Sequence, residues 1–338
     1  MRSLLEVENL TVSLPVEGAY RRVLTDVSFE LAAGRTLGLV GESGSGKSMT
    51  VRAINRLLPP GAHTSGRIGF DGGDVLDLRA EALRRYRADD VAMIFQDARA
   101  AINPVRRIGD FLTEALVLTK GASRAAARDT AAGLLAAVGI PDAERRMRQY
   151  PHELSGGLLQ RVMIAAAVAG RPRLVLADEP TTALDVTTQA EVIGILRRMQ
   201  QEHRMAVLFI THDLELAAAI CDETIVLYAG EVMERTASAS LHTQPLHPYT
   251  AALVGARPDV TAKKDRLLAV PGHPTSAYEA PSGCSFAPRC RFAAAACTNE
   301  HPPLRPRGDG LSRCLRIAEI APDLAGPGAA HEREAEQR

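Results

Sequence analysis

The sequence has no surplus of either charge: 40 Lys and Arg balance 40 Asp and Glu. The global cationic field that grips nucleic acid is therefore missing. Long apolar runs are missing too. The longest candidate, Val162 to Ala169, spans eight residues, where a bilayer-spanning helix needs about 20. Met1-Arg2-Ser3-Leu4-Leu5-Glu6 carries an acid too early for a signal peptide. Cysteine is scarce, five in 338 residues, which excludes a disulfide-stapled scaffold. Lysine is scarcer still, four against 36 arginines, a compositional bias to which no function is attached. What is left, 46% hydrophobic and 24% charged, is a soluble globular profile. The length suits roughly two domains at about 100–200 residues each.

The first forty residues alternate apolar and polar positions, as in Leu5-Glu6-Val7-Glu8-Asn9-Leu10-Thr11-Val12, and read as short strands. Thr36-Leu37-Gly38-Leu39-Val40 is a buried strand entering a glycine-rich turn, and Arg67 to Gly72 is a strand closing on a turn. Residues 106–170 are rich in alanine and leucine at helical spacing; Ala125 to Val138 is one helix, stopped by Gly139. Two apolar strands, Leu174 to Ala177 and Ala206 to Ile210, flank a helix over Thr188 to Glu202. That order predicts an α/β fold with a parallel core. Near residue 240 proline becomes frequent, which predicts a domain boundary there, and residues 322–338 read as a mobile polar tail. No internal repeat occurs, so a single nucleotide cassette is expected.

Gly41-Glu42-Ser43-Gly44-Ser45-Gly46-Lys47-Ser48 matches G-x-x-x-x-G-K-[ST] after a strand. Its glycines let successive N–H groups turn inward on phosphate oxygens, and the following helix aims its positive end at the same anion. Lys47 can reach the β- and γ-phosphates, and Ser48 can ligate Mg²⁺. By chance the pattern arises on the order of once per hundred such chains. Here it holds the only lysine of the first 119 residues. Leu174-Val175-Leu176-Ala177-Asp178-Glu179 ends a strand in two carboxylates. Alone, such a pair is usually a solvated turn. Downstream of a P-loop, Asp178 is placed to hold Mg²⁺ and Glu179 to orient or deprotonate the attacking water.

Three further signals narrow the class. Leu154-Ser155-Gly156-Gly157-Leu158-Leu159-Gln160 precedes an apolar helix that Ser155 would cap, and Gly157 would let N–H groups approach a phosphate. Gln96 follows the strand Val91 to Phe95 and could reach Mg²⁺ and the attacking water. His212 follows Phe209-Ile210-Thr211 and could contact the γ-phosphate.

P-loop, Gln96, Leu154-Ser155-Gly156-Gly157, Asp178-Glu179, Ala183-Leu184-Asp185 and His212 stand in the order and approximate spacing of the ATP-binding cassette (ABC) superfamily, which residues 4–235 resemble. The resemblance implies a P-loop cassette over residues 1–240: a RecA-like parallel-sheet core, an N-terminal antiparallel β subdomain and a helical subdomain at about 98–168. It also implies a nucleotide-sandwich dimer. One subunit binds ATP through Gly41, Ser43, Gly44, Ser45, Gly46, Lys47, Ser48 and Met49, with Mg²⁺ on Ser48, Gln96 and Asp178. Its partner contributes Ser155, Gly156, Gly157, Gln160 and Asp185. Glu179, His212 and Gln96 are the expected catalytic residues, and Tyr20 is the candidate for stacking on adenine.

The segment 241–321 adds Gln244-Pro245-Leu246-His247-Pro248-Tyr249-Thr250, Val270-Pro271-Gly272, Gly283 to Cys290, Cys297, Pro302-Pro303-Leu304 and Arg313-Cys314. This run resembles the loop-rich C-terminal extension of ATP-binding subunits of bacterial dipeptide/oligopeptide importers, as Phe95-Gln96-Asp97 with Ile102-Asn103-Pro104 resembles their Gln loop. The implied complex has two transmembrane permease subunits and a second ATP-binding subunit, identical or merely similar. A peptide-binding protein acts indirectly, and no nucleic acid takes part. The chain would be peripheral on the cytoplasmic face, with the Gln96 loop and the helices of 106–165 forming a groove for a short membrane-protein helix. An importer of nickel or another small solute is the alternative. A DNA-repair or translation ATPase lacks support, because the chain has no heptad insertions, zinc modules or second cassette.

Four of the five cysteines fall within 31 residues, spaced Cys284-x₅-Cys290-x₆-Cys297-x₁₆-Cys314. A small module gains from a metal that closes its loops, and four thiolates suit Zn²⁺ or an iron–sulfur cluster. No close C-x₂₋₄-C knuckle exists. The wide spacings and the importer resemblance favour a structural 4Fe–4S cluster over zinc. Cys221 reads as a core residue.

Overall fold

The structure, a computed structural model, describes residues 3–182, 184–256 and 270–324. Ala183, Pro258 and residues 325–338 of the expected polar tail lie outside the described residues.

Strands β1 (Ser3–Val16), β2 (Ala19–Ala32) and β3 (Thr36–Val40) lead into helix α1 (Lys47–Ile54). Then come β4 (His63–Phe70), β5 (Gly73–Asp74), α2 (Ala80–Arg85) and β6 (Val91–Ile94). A run of helices follows: α3 (Ala98–Ala101), α4 (Ile108–Leu118), α5 (Arg124–Ala137), α6 (Ala143–Arg148) and α7 (Gly156–Ala169). Next are β7 (Leu174–Asp178), α8 (Val186–His203), β8 (Ala206–Thr211), α9 (Leu214–Ile220), β9 (Glu223–Tyr228) and β10 (Glu231–Ala237). The C-terminal region holds α10 (Pro248–Gly255), α11 (Ala295–Asn299), β11 (Arg305–Arg307), β12 (Gly310–Ser312) and α12 (Ile317–Leu324).

The chain folds into two compact units. One comprises Met1–Leu5, Leu31–Thr36 and Phe70–Ile210. In it β8, β7 and β6 lie side by side and run parallel, with Leu174 opposite both Val91 and Ala206. Every residue of β7 is buried, which explains its unbroken apolar run: a parallel strand covered on both faces has no wet side. Helices α4, α5 and α7 carry a small core of Leu116, Ala127 and Ala169. Ser123 caps α5 by accepting the Ala126 N–H at 3.2 Å, and Gly139, at φ 71°, ends it as the sequence predicts.

The other unit comprises Glu6–Glu30, Leu37–Gly69 and Thr211–Arg338. Residues on both sides of position 240 therefore share it. Strands β2, β1 and β4 are neighbours. The alternation read as short strands belongs to two strands of 14 residues each. They are joined by Glu17 and Gly18, both left-handed (φ 50° and 80°) as a two-residue hairpin turn requires. β3 runs parallel to β9, with Leu39 opposite Ile225. β9 pairs antiparallel with β10, and β10 with β12. At the far end Ile317, Ile320 and Leu324 of α12 pack with Ala251 and Phe292, so Pro322, Asp323 and Leu324 are helix rather than the tail expected from residue 322.

Two buried titratable groups sit where β10 meets α10. Glu234 is fully buried and its carboxyl oxygens have no hydrogen-bond partner. The Thr250 hydroxyl and the N–H groups of Leu246 and His247 face it without full hydrogen-bond geometry, and burial pushes its pKa up to about 7. His247 caps α10, its Nδ1 accepting the Tyr249 N–H at 3.0 Å, and burial pushes its pKa down to about 3. The two act in opposite directions. From about pH 4.5 to 7 the folded chain holds a proton on Glu234 that the unfolded chain has released, so stability falls as pH rises. From about pH 6.5 to 3 the unfolded chain binds a proton on His247 that the folded chain refuses, so stability falls as pH falls. Glu234→Gln removes only the first effect. Denaturant melts of both proteins are expected to show the variant's advantage growing from pH 4.5 to 7, toward roughly 3 kcal/mol, and level above that. A pH-independent difference contradicts the assignment.

Candidate functional site

The turn between β3 and α1 is built by steric exclusion. At Gly41 a Cβ would run into the Leu227 carbonyl oxygen, and at Gly46 (φ 104°) it would come within 2.6 Å of Leu24 Cδ2. Only glycine fits either position. The Gly230 N–H donates to the Ser45 carbonyl at 2.9 Å, tying the turn to the β9–β10 hairpin. Lys47 is buried, and its Nζ donates to the carbonyl oxygens of Gly41 (2.8 Å) and Glu42 (3.0 Å). Ser45 Oγ is buried with no hydrogen-bond partner. Ser43 and Gly44 are exposed, and Ser48 and Met49 half-buried at the start of α1. An orphaned hydroxyl, a buried ammonium and a helix N-terminus in one turn fit a phosphate.

Asp178 closes β7 and Glu179 follows it. Asp178 is buried. Glu179 has left-handed backbone (φ 46°), an uncommon state for a non-glycine residue, held by its N–H donating to the Ile210 carbonyl at 3.1 Å. Its Oε2 accepts from Gln96 Nε2 (3.2 Å) and from the Thr182 hydroxyl (2.9 Å). The fold thus joins Gln96 and Glu179 across 83 positions of sequence. Thr182 was not singled out from the sequence.

The glycine pair opens α7. Exposed Ser155 caps it by accepting the Leu158 N–H at 3.4 Å, and exposed Gly156 follows. A Cβ on Gly157 would come within 2.5 Å of Thr188 Cγ2, so close packing on α8 also demands this glycine. Gln160 is buried, with its Nε2 unpaired, and only Ser155 and Gly156 of this stretch are exposed. Asp185 caps α8. The Thr188 N–H (3.0 Å) and hydroxyl (2.7 Å) hold its carboxyl below the usual carboxylate range. His212 is exposed just after β8. Exposed Tyr20 stacks on His63, ring centroids 4.0 Å apart.

One unit thus carries a P-loop turn fitted to phosphate, and the other carries a strand-end carboxylate pair and a capped glycine-pair helix. The family profile described as "ABC transporter" matches residues 24–182, and that described as "Oligopeptide/dipeptide transporter, C-terminal region" matches 233–297. The oligopeptide transport ATP-binding protein OppD of Salmonella typhimurium is 43% identical over 317 residues, 94% of each chain. The dipeptide transport ATP-binding protein DppD of Escherichia coli is 42% identical over 314 residues, 92% of this chain and 96% of that one. Among solved structures, the dimeric ATP-binding cassette MJ0796 in a post-hydrolysis state with ADP and Pi superposes with a TM-score of 0.63. It is 28% identical, over 69% of this chain and 98% of that one. The chain belongs to the ABC transporter family, in the branch of the oligopeptide/dipeptide ATP-binding subunits.

The iron–sulfur and zinc expectation is corrected. Cys284, Cys290, Cys297 and Cys314 do line one small cavity, with Phe286 and Ile320 among its walls. Among the described residues, however, no group of three or more His, Cys, Asp or Glu is arranged to hold a metal ion. The matched family and relatives are described by ATP binding and transport alone. The physical reason is burial. It pushes the Cys284 thiol up to about 11 and raises Cys290 and Cys314 as well, disfavouring the thiolate a metal needs. All five cysteines are free, and these four line an apolar cavity as small hydrophobes. Cys221 is a core residue, as read.

Proposed function

We propose that this chain is the ATP-hydrolysing subunit of a peptide importer, peripheral on the cytoplasmic face of the membrane. The observation that carries the reading is Glu179, held by Gln96 and Thr182 at the end of a buried strand, in a chain related to OppD over 94% of its length. In this reading the P-loop turn and Lys47 bind the phosphates of ATP. Ser48, Asp178 and Gln96 would hold Mg²⁺, which would neutralise charge on the phosphate oxygens. Glu179 takes a proton from the attacking water and Gln96 orients it. His212 contacts the γ-phosphate, and Tyr20 lies against adenine. Ser155, Gly156, Gly157, Gln160 and Asp185 serve the ATP of a second ATP-binding subunit. No described helix is long and apolar enough to cross a membrane; in this reading two permease subunits form the pathway and a binding protein delivers the peptide.

The helical segment supplies the coupling surface. A cavity of about 670 Å³ is lined by Arg107, Asp110, Glu114, Val117, Leu118 and Arg128 among others. Leu118, 71% exposed, is one of the largest uncovered apolar side chains. A short helix of a permease subunit fits this combination of charge and apolar surface.

The test is ATPase activity before and after assembly. The isolated chain is expected to hydrolyse ATP slowly, because each site lacks its partner's Ser155 and Gly157. The rate is expected to rise on adding the permeases, the second ATP-binding subunit and peptide-loaded binding protein. Fast, peptide-independent turnover by a strict monomer contradicts the reading.

A further inference from the structure

Glu42, the first non-glycine residue of the P-loop, is held at three points, two of them from the C-terminal region. Its carboxylate takes a two-pronged ion pair from Arg289: Nη1 to Oε2 at 2.6 Å and Nη2 to Oε1 at 3.1 Å. Its N–H donates to the Tyr249 hydroxyl at 3.0 Å. Its carbonyl accepts from Lys47 Nζ at 3.0 Å.

The holding groups are themselves fixed. The Arg289 side chain is only 4% exposed. Its Nε donates to the Pro271 carbonyl at 2.7 Å, its Nη1 also reaches the Tyr228 hydroxyl at 3.3 Å, and its guanidinium lies over the rings of Tyr228 and Phe286. Tyr249 is fully buried, its ring centroid 4.7 Å from that of Tyr228 and 5.2 Å from that of Phe286. Arginine suits this place because its planar fork bonds a carboxylate in two directions while its face stacks on aromatic rings. A surface ion pair would contribute little. This one is nearly enclosed, and all three guanidinium nitrogens of Arg289 are engaged.

We infer that Arg289 and Tyr249 are positioning residues for the ATP site: they fix Glu42 so that the P-loop N–H groups and Lys47 converge on the phosphates. The C-terminal extension is thus a working part of the nucleotide site. Lys47 donates to Gly41 and Glu42 carbonyls that this clamp immobilises. Without the clamp the ordering of the loop falls to the binding step, which weakens binding more than chemistry.

The inference rests on the reading that the P-loop binds ATP, and the experiment separates the two. Equilibrium binding of MgATP to the full chain is measured for wild type, Arg289→Ala, Tyr249→Phe, Glu42→Gln and the Arg289→Ala/Glu42→Gln double variant. Thermal melts are recorded alongside, and KM and kcat are taken in the assembled transporter. Wild type that does not bind MgATP overturns the functional reading itself. With wild-type binding intact, Arg289→Ala is expected to weaken MgATP binding roughly tenfold. It should raise the KM for ATP by more than it lowers kcat. The double variant is expected to bind no worse than the weaker single variant, because both remove one interaction. Tyr249→Phe keeps the ring and loses the acceptor, so it is expected to weaken binding several-fold with an unchanged melt even if Arg289→Ala fails to fold. Wild-type affinity in folded Arg289→Ala and Tyr249→Phe overturns the inference. So do losses in kcat and affinity that merely track the folded fraction, or strictly additive single effects.

Discussion

Glu179→Gln is expected to bind ATP with wild-type affinity and to lose turnover by about 10²–10⁴-fold, the range for removing a general base. The amide is nearly isosteric and can still meet Gln96 and Thr182, which hold Oε2 at 3.2 and 2.9 Å in the wild-type chain. The left-handed backbone at residue 179 is untouched, since the strain belongs to the turn and not to the side-chain charge. Binding therefore survives while water activation fails, and ATP-bound dimers accumulate. Single-turnover kinetics with labelled ATP, paired with equilibrium binding, separates the two steps. Hydrolysis within a few-fold of wild type removes Glu179 from its assigned role.

Lys47→Ala is expected to fail one step earlier. Its Nζ is the one lysine ammonium in the P-loop, and in the structure it donates to two loop carbonyls, Gly41 and Glu42, at 2.8 and 3.0 Å. Hydrogen bonds from a charged donor contribute about 1.5–3 kcal/mol each. Losing those that Lys47 would make to the phosphates is expected to weaken ATP binding on the order of 100-fold or more. Helix α1 does not depend on the ammonium, so circular dichroism is expected to match wild type. Affinity within threefold of wild type contradicts the assignment of this turn to phosphate.

Local chemistry was the legible part of the sequence. The P-loop, the buried strand ending in Asp178 and Glu179, and the capped glycine pair are contiguous segments whose composition dictates their geometry. The stop at Gly139 and the buried strands at 174–177 and 206–210, each one residue longer in the structure, follow from the same local rules. Pairings between distant residues were not legible. Gln96 and Glu179 are 83 positions apart, and Glu42 and Arg289 are 247 apart. Only the fold makes either pair. Glu42 carried no signal of its own, because that P-loop position accepts any residue. The cysteines show the opposite failure. Their crowding in sequence is real, and they share a cavity, but nearness of four sulfurs in an apolar pocket is packing. A metal centre also needs thiolates in a binding arrangement, which spacing cannot report. The alternation reads as short strands, whereas each strand runs for 14 residues; Asn9 and Asp26 have positive φ (51° and 52°), where one bulged residue reverses the phase without ending the strand.

The central claim, that ATP hydrolysis by this chain drives peptide import, is tested most directly by transport. The chain, its permease subunits and its partner ATP-binding subunit are assembled in proteoliposomes with MgATP on the side the ATP-binding subunits face and labelled peptide with the binding protein on the other. Peptide is expected to accumulate across the membrane with ATP, and to stay at background with Glu179→Gln or with ADP. Accumulation that is equal with ATP and ADP, or that the Glu179→Gln complex sustains, would contradict the account.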